Sequence, residues 1–378
     1  MPSPIRPSTL NSPGGSINFQ RTPPRISDPL VVVPPGLPTG GPLEIGEAYV
    51  RGEWTCEHLD EFMAHIFREP VKKRTSFERF ALLSHVVKEK LLNPQRGKGA
   101  YHVGDFHYNL GNPLFEKMLD RTMSYTCGYW PHASNLLSAQ NAKLDLICRK
   151  LRLEPGMTVA DIGCGWGNFA RFAATNYGVS VVGVTVSTEQ ANFAREFCQG
   201  LPVTILLQDY RSLEGQFDRV VSIEMIEAVG KKNLPVYFET VHRILRDGGL
   251  FALEVISAES YSRNSNWNLD QYILWLVKYI FPNGYLPSIK ELASPCSELF
   301  LLQDWHSFGE DYDKTLMAWA SNFRHAWPEI SHGYDESFKR RWEFYLYSCA
   351  ALFRVHLVHL YQILYSKGPT ADRLYPVR

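Results

Sequence analysis

Between residues 140 and 256 the chain alternates two kinds of segment, and this alternation restricts its fold more than any other feature. TVADIG, SVVGVTVS, VTILLQD, FDRVVSIE and LFALEVIS are short apolar runs of strand length. AQNAKLDLICRKL, GNFARFAATNYG, EQANFAREFCQG and LPVYFETVHRILRDGG instead carry apolar residues at helical spacing. Strands separated by helices pair in parallel, with the helices covering both faces of the sheet. The expected class is α/β, a Rossmann-like sheet with helices on both faces. With 378 residues, 45% of them hydrophobic and 21% charged, the chain can bury a substantial core.

The turn after the first strand, DIGCGWGN, sets Gly163, Gly165 and Gly167 directly before a helix. Glycines there let the backbone turn sharply and approach a ligand at the helix N-terminus. The spacing is G-x-G-x-G, not the complete G-x-G-x-x-G dinucleotide fingerprint, so alone it fits both a ligand loop and a structural turn. Asp161 precedes the glycines, the second strand runs out into GVTVSTEQ, and the third into LLQDY. Thr185, Gln190, Gln208 and Asp209 thus gather with Asp161 at the carboxyl edge of the sheet, where such folds bind ligands. The arrangement resembles the S-adenosyl-L-methionine pocket of a class I methyltransferase. A dehydrogenase is the alternative, disfavoured because no Asp or Glu ends the second strand.

Residues 1–43 are rich in Pro, Ser and Gly and read as a disordered arm. Residues 44–100, with EHLDEFMAHIF and SFERFALLSHVVKEKLL, read as a small helical module. Residues 101–378 form the expected catalytic domain, with a helical insertion at about 257–330 and WEFYLYSCAALFRVHLVHLYQILY as helix packed on the sheet. Lys plus Arg and Asp plus Glu both number 39, so there is no global attraction to nucleic acid or to an anionic membrane. EPVKKR and NPQRGKGAYH are local positive segments only. The seven cysteines show no C-x-x-C spacing and read as reduced thiols of a cytoplasmic protein. No apolar run approaches the ~18 residues needed to span a bilayer. His356 and His359 are three apart with no third ligand in view, so no metal site is expected.

Glu254 stands in the middle of the apolar run FALEVIS, where an unpaired charge is costly. Strand alternation puts it on one face with Ile256. It reads either as a general base whose pKa burial raises, or as a structural carboxylate with a paired partner. Glu224 and Glu227, in SIEMIEA, face a site if they lie on a turn and water if they lie on an exposed helix. Cys127, in SYTCGYW, has no neighbouring base and by itself reads as a buried thiol. Tyr108, Tyr125, Tyr129, Trp130, Tyr272, Trp275, Tyr279, Phe281 and Trp319 are candidates for an apolar slot that stabilises a cation, with core as their default role.

FHYNLGNPLFEKMLDRTMSYTCGYW, DIGCGWGNFARFAA, VVGVTVSTEQ, FDRVVSIEMIEAVG, KYIFPNGYLPS and DWHSFGEDYDKTLMAW together closely resemble cyclopropane-fatty-acid-phospholipid synthases, from about Ile45 to Gly368. The resemblance implies methyl transfer from S-adenosyl-L-methionine to the cis double bond of an unsaturated acyl chain, followed by proton loss and ring closure. It implies a bicarbonate base held by a Cys, a Glu, a His, an Ile backbone and a Tyr, and Cys127, Glu227, Ile256 and Tyr312 match four of those positions. It places Tyr108, Tyr125 and Thr126 at the cofactor. At the histidine position the family's HTI is EVI, so Glu254 stands there, and the His that usually follows the family glutamate is Ala228. A carboxylate shares the planar shape and acceptor oxygens of bicarbonate, so Glu254 is expected to replace the ion as base. Glu224 stands where these synthases commonly have a small residue and resembles, in that respect, coclaurine-type N-methyltransferases.

The alternatives are C- or N-methylation of another alkene, lipid or amine, and, in a different class, a non-catalytic lipid- or S-adenosylmethionine-binding protein. Retention of Cys127, Glu227 and Tyr312 argues against the latter. An unsaturated lipid met at a membrane surface and a homodimer are the partners the resemblance implies; no nucleic acid is expected.

Overall fold

The computed structural model describes residues 36–38, 40–69, 112–258, 266–370 and 375–378. Its helices are α1 (Pro42–Val50), α2 (Leu59–Arg68), α3 (Asn112–Met118), α4 (Leu136–Lys150), α5 (Asn168–Tyr177), α6 (Thr188–Phe197), α7 (Leu234–Ile244), α8 (Trp267–Tyr279), α9 (Ile289–Ala293), α10 (Glu310–Ile330) and α11 (Glu336–Arg354). The strands are β1 (Thr158–Ile162), β2 (Ser180–Thr185), β3 (Val203–Leu207), β4 (Phe217–Ile223), β5 (Leu245–Ser257), β6 (Leu301–Ser307) and β7 (His359–Ser366). They form one sheet in the order β3-β2-β1-β4-β5-β7-β6, with β1 to β5 parallel and β7 antiparallel to both β5 and β6.

Local chemistry fixes the helix ends. Asn135 and Ser138 form a reciprocal capping box at the start of α4, and the Ser187 side chain caps α6. Gly167 and Gly178, both left-handed, bound α5. The chain winds from β1 outward to β3 and then returns to β4. This leaves a switch point between β1 and β4, where open α/β sheets bind ligands.

The core lies on both faces of this sheet. Val220, Phe251, Leu253 and Val255 pack with Tyr237, Phe238 and Val241 of α7. On the other face, Val159, Val181, Leu250 and Ala252 pack with Leu144 and Ile147 of α4 and Phe169 of α5. By parity along β5, Glu254 belongs to the α4 face.

The region after residue 257 departs from the helical expectation. WEFYLYSCAALFRVHLVHLYQILY is helix only to Arg354; His356 turns the chain at φ 57°, and His359–Ser366 enters the sheet between β5 and β6. Nearly every β7 residue is buried, and a strand covered on both faces has the same unbroken apolar pattern as a buried helix. β6 also lies inside the expected helical insertion; its sequence, LLQDWHS, has no apolar–polar alternation, and none of its residues is fully buried.

At the N-terminal end, α1 and α2 pack on α8 and α11. Tyr49 meets Phe344 at 5.7 Å between ring centroids, and Phe67 meets Tyr272 at 5.5 Å. The expected arm up to residue 35, and the remainder of the expected helical module at 70–100, lie outside the described residues. All seven cysteines are free thiols. Among the described residues no helix is long and apolar enough to cross a membrane, and no cluster of side chains has metal-ligand geometry.

Candidate active site

A cavity opens at the switch point. Asp161, Gly163 and Gly165 from the β1 turn, Thr185 and Gln190 from the β2–α6 junction, and Gln208 and Asp209 after β3 all line it, as do Tyr125 and Thr126. Gly163 sits at φ 81°, and a Cβ on it would lie 2.4 Å from Met225 Cγ, so only glycine fits there. Gly167 does not line the cavity. It starts α5 and packs against Ala194 and Cys198, so its conformation serves helix packing.

Hydrogen bonds within the polar wall hold its groups in place. Thr185 Oγ1 donates to Gln190 Oε1 at 2.9 Å, and Gln208 N donates to the Thr185 carbonyl at 3.0 Å. Burial acts to raise the Asp209 carboxyl, yet its bonds to Arg211 outweigh this and hold it below the usual carboxylate range. Asp161 is 2% exposed; burial pushes it up to about 7 against the opposing charge of Lys143. Its Oδ2 is buried without a hydrogen-bond partner among the described residues. A buried acceptor with no partner beside a glycine cradle fits a cofactor with amino and hydroxyl donors.

Lys143 escapes sequence reasoning because a lysine on an amphipathic helix reads as solvent-facing. It is 1% exposed, and its Nζ donates to Thr126 Oγ1. One turn earlier on α4, Gln140 Nε2 donates to the Thr126 carbonyl at 2.7 Å. Together they hold the loop that carries Tyr125, Thr126 and Cys127.

At one end of the cavity stands Glu224, which lines it. Its Oε1 accepts from the Cys127 backbone N–H at 2.8 Å, and its Oε2 accepts from the Tyr312 hydroxyl at 2.5 Å. Burial, then Glu254 and Glu227, raise the Glu224 carboxyl well above its ordinary range. Glu227 Oε1 accepts from the Ile256 N–H at 2.6 Å, while its Oε2 has no partner among the described residues. Burial lifts Glu227 to about 7, with the Ile256 bond opposing the rise.

Cys127 and Tyr312 thus meet at the Glu224 carboxylate and Ile256 meets Glu227, and the Cys127 contact is made by its backbone amide. Burial and the neighbouring carboxylates drive its thiol pKa far up, which leaves it inert as a nucleophile. α10 locks this loop: Thr315 Oγ1 accepts from Gly128 N at 3.0 Å, and Asp311 Oδ2 accepts from Trp130 N at 2.8 Å.

Glu254 is placed differently from the expectation of a base open to substrate. It is 1% exposed and does not line the cavity. Its Oε2 accepts from Gln362 Nε2 at 2.6 Å, directly across the β5–β7 ladder, and its Oε1 lies 3.9 Å from Lys143 Nζ. The position has the partners of the structural carboxylate.

Of the aromatic candidates, Tyr125 reaches the cavity, with its hydroxyl 2.6 Å from that of Tyr345. Tyr272 and Trp275 stack in the core between α8 and α11, and Tyr129 packs edge-on against Phe308. Tyr108 lies outside the described residues.

A family model described as mycolic acid cyclopropane synthetase matches residues 95–363. The cyclopropane-fatty-acyl-phospholipid synthase of Escherichia coli is 49% identical over 328 residues, covering 87% of this chain and 84% of its own. The tuberculostearic acid methyltransferase UfaA1 of Mycobacterium tuberculosis is 32% identical over 348 residues, covering 87% of this chain and 80% of its own. Among solved structures, the mycolic acid cyclopropane synthase CmaA1 complexed with SAH and CTAB superposes with a TM-score of 0.68 at 30% identity, over 71% of this chain and 98% of that one.

Proposed function

The chain belongs to the mycolic acid cyclopropane synthetase family, and on that premise we propose that it converts the cis double bond of an unsaturated phospholipid acyl chain into a cyclopropane ring. S-adenosyl-L-methionine, when bound, supplies an electrophilic methyl group. The residues that would hold it are Asp161, Thr185, Gln190, Gln208 and Asp209, with Tyr125 and Thr126 closing the cavity. The observation that carries the reading is the position of Glu224. It is at once a wall of the cofactor cavity and the partner of Cys127 and Tyr312, so a carboxylate stands where a cation forms.

This chain's own work is then to orient the alkene, exclude water, shield the cationic carbon and take up one proton. No side chain would have to activate a nucleophile, because the bound cofactor would itself supply a strong electrophile. The bicarbonate that the family resemblance implies is replaced, in this reading, by a carboxylate of the chain. Expected for Glu254, that role does not match its ion pair with Lys143 and its hydrogen bond from Gln362, which suit a group that positions others.

The substrate is met at a membrane surface, and the chain works as a homodimer; vesicle co-sedimentation and light scattering check those two points. The activity itself is tested by incubating pure protein with S-adenosyl-L-methionine and vesicles of cis-unsaturated phospholipid. A gain of one CH2 per chain with upfield ring protons is expected. A methyl or methylene branch would instead favour plain C-methylation, the chemistry suggested by the name of the Mycobacterium tuberculosis relative.

A further inference from the structure

Glu224 is held in a backbone conformation that its side chain opposes. Its φ is 48°, in the left-handed region that glycine enters freely and L side chains avoid. Such strain persists where the surrounding structure over-determines it, and it concentrates at functional sites. Here the Glu224 N–H donates to the Glu254 carbonyl at 2.9 Å, and both carboxylate oxygens are engaged, one by the Cys127 amide at 2.8 Å and the other by the Tyr312 hydroxyl at 2.5 Å. Of the three clustered glutamates, Glu224 alone lines the cofactor cavity.

We propose that Glu224 is the catalytic base of the ring-closing step, its carboxylate filling the position of a bound bicarbonate, so that this chain turns over without the ion. This rests on the cyclopropane-forming reading above. The Cys127 amide and Tyr312 hydroxyl are donors that a planar oxyanion needs, and Glu224 already occupies both. After the methyl has moved to one alkene carbon, a C–H bond of that methyl breaks. Its proton passes to a Glu224 oxygen, and its electron pair forms the bond to the cationic carbon that closes the ring. The products are the cyclopropane, the neutral thioether and a carboxylic acid that returns its proton to solvent. Burial beside Glu254 and Glu227 makes the Glu224 carboxylate more basic than a surface carboxylate. Glu254 is then a positioning residue, whose carbonyl holds the strained backbone of Glu224 while its side chain pairs with Lys143.

The strain supplies the test, because Glu224→Gly relieves φ 48° and vacates the carboxylate's space, whereas Glu224→Gln keeps the space filled without a base. Turnover is measured in decarbonated buffer and after adding bicarbonate, and binding of 13C-bicarbonate is read by NMR line broadening without any lipid. Wild type is expected to be indifferent to bicarbonate and to bind none. Both variants should lose on the order of 100-fold or more in kcat, with only Glu224→Gly binding the ion and recovering at least about ten-fold on its addition. Circular dichroism confirms that each variant folds. A wild type that binds bicarbonate or needs it, a Glu224→Gln variant with normal turnover, or a folded Glu224→Gly variant that neither binds nor responds to the ion would each overturn the proposal. If wild type makes no lipid product at all, the cyclopropane reading fails, and the lipid-free binding comparison still decides what occupies this position.

Discussion

The two ends of the cavity are built by different means. The cofactor end is local: Asp161 to Gly165 come from one turn, Thr185 to Gln190 from the next, and Gln208 and Asp209 from a third, each at the end of a parallel strand. The carboxylate end is assembled across the chain. Glu224 meets Cys127 across 97 positions and Tyr312 across 88, and Glu254 meets Gln362 across 108. A shared fold supplies the first end with little demand on distant sequence. The second depends on α4, α10 and β7 all arriving, and it is where this chain departs from the pattern its motifs resemble.

Lys143 touches both ends, so its loss should have the largest effect. Lys143→Met leaves Glu254 buried without its ion-pair partner and frees the Thr126 loop. Breaking a buried pair from one side costs about 3 kcal/mol or more, to be read from urea unfolding. The double variant Lys143→Met/Glu254→Leu should regain most of that stability, because the stranded charge is gone.

Gly163→Ala should damage the cofactor end alone. Its Cβ would meet Met225 at 2.4 Å, an overpacking worth about 2 kcal/mol. The affinity for S-adenosylhomocysteine should fall roughly 10- to 100-fold by calorimetry. Tyr312→Phe should do the converse. It removes one donor to Glu224, so kcat should fall about ten-fold or more with S-adenosylhomocysteine affinity unchanged.

Per pH unit, the smallest effect is a slope in stability. Glu227 titrates at about 7 in the fold against an ordinary value of 4.5, so the folded chain holds a proton that the unfolded chain has released. The stability this contributes is complete below about 4.5 and is lost as pH rises through about 7. Glu227→Gln removes this dependence. Between those limits its stability should decline less steeply than that of wild type, by up to about 1.4 kcal/mol per pH unit.

The same division governs what the sequence reveals. The parallel strands, the glycine turn and the polar residues at strand ends are legible, because each is encoded within a few residues. β7 is not, since a buried strand and a buried helix share an unbroken apolar run, and β6, LLQDWHS, lacks the alternation that would mark a strand. Lys143 hides in helical periodicity, and of the aromatic candidates Tyr272, Trp275 and Trp319 prove to be core. Glu254 is legible as an anomaly but not in its partners, because Lys143 and Gln362 reach it only through the tertiary fold. Glu224 has a sequence signal, a glutamate where small residues are usual, and its positive φ gives that signal physical meaning.

The most direct test of a carboxylate carried by the chain at the end of a common cofactor cavity is one NMR measurement. Wild-type protein, S-adenosyl-L-methionine and unsaturated phospholipid vesicles are combined in decarbonated buffer, and cyclopropane ring protons are followed over time. Ring protons appearing at the same rate with and without added bicarbonate are the expected result. Ring protons that appear only after bicarbonate is returned would contradict it.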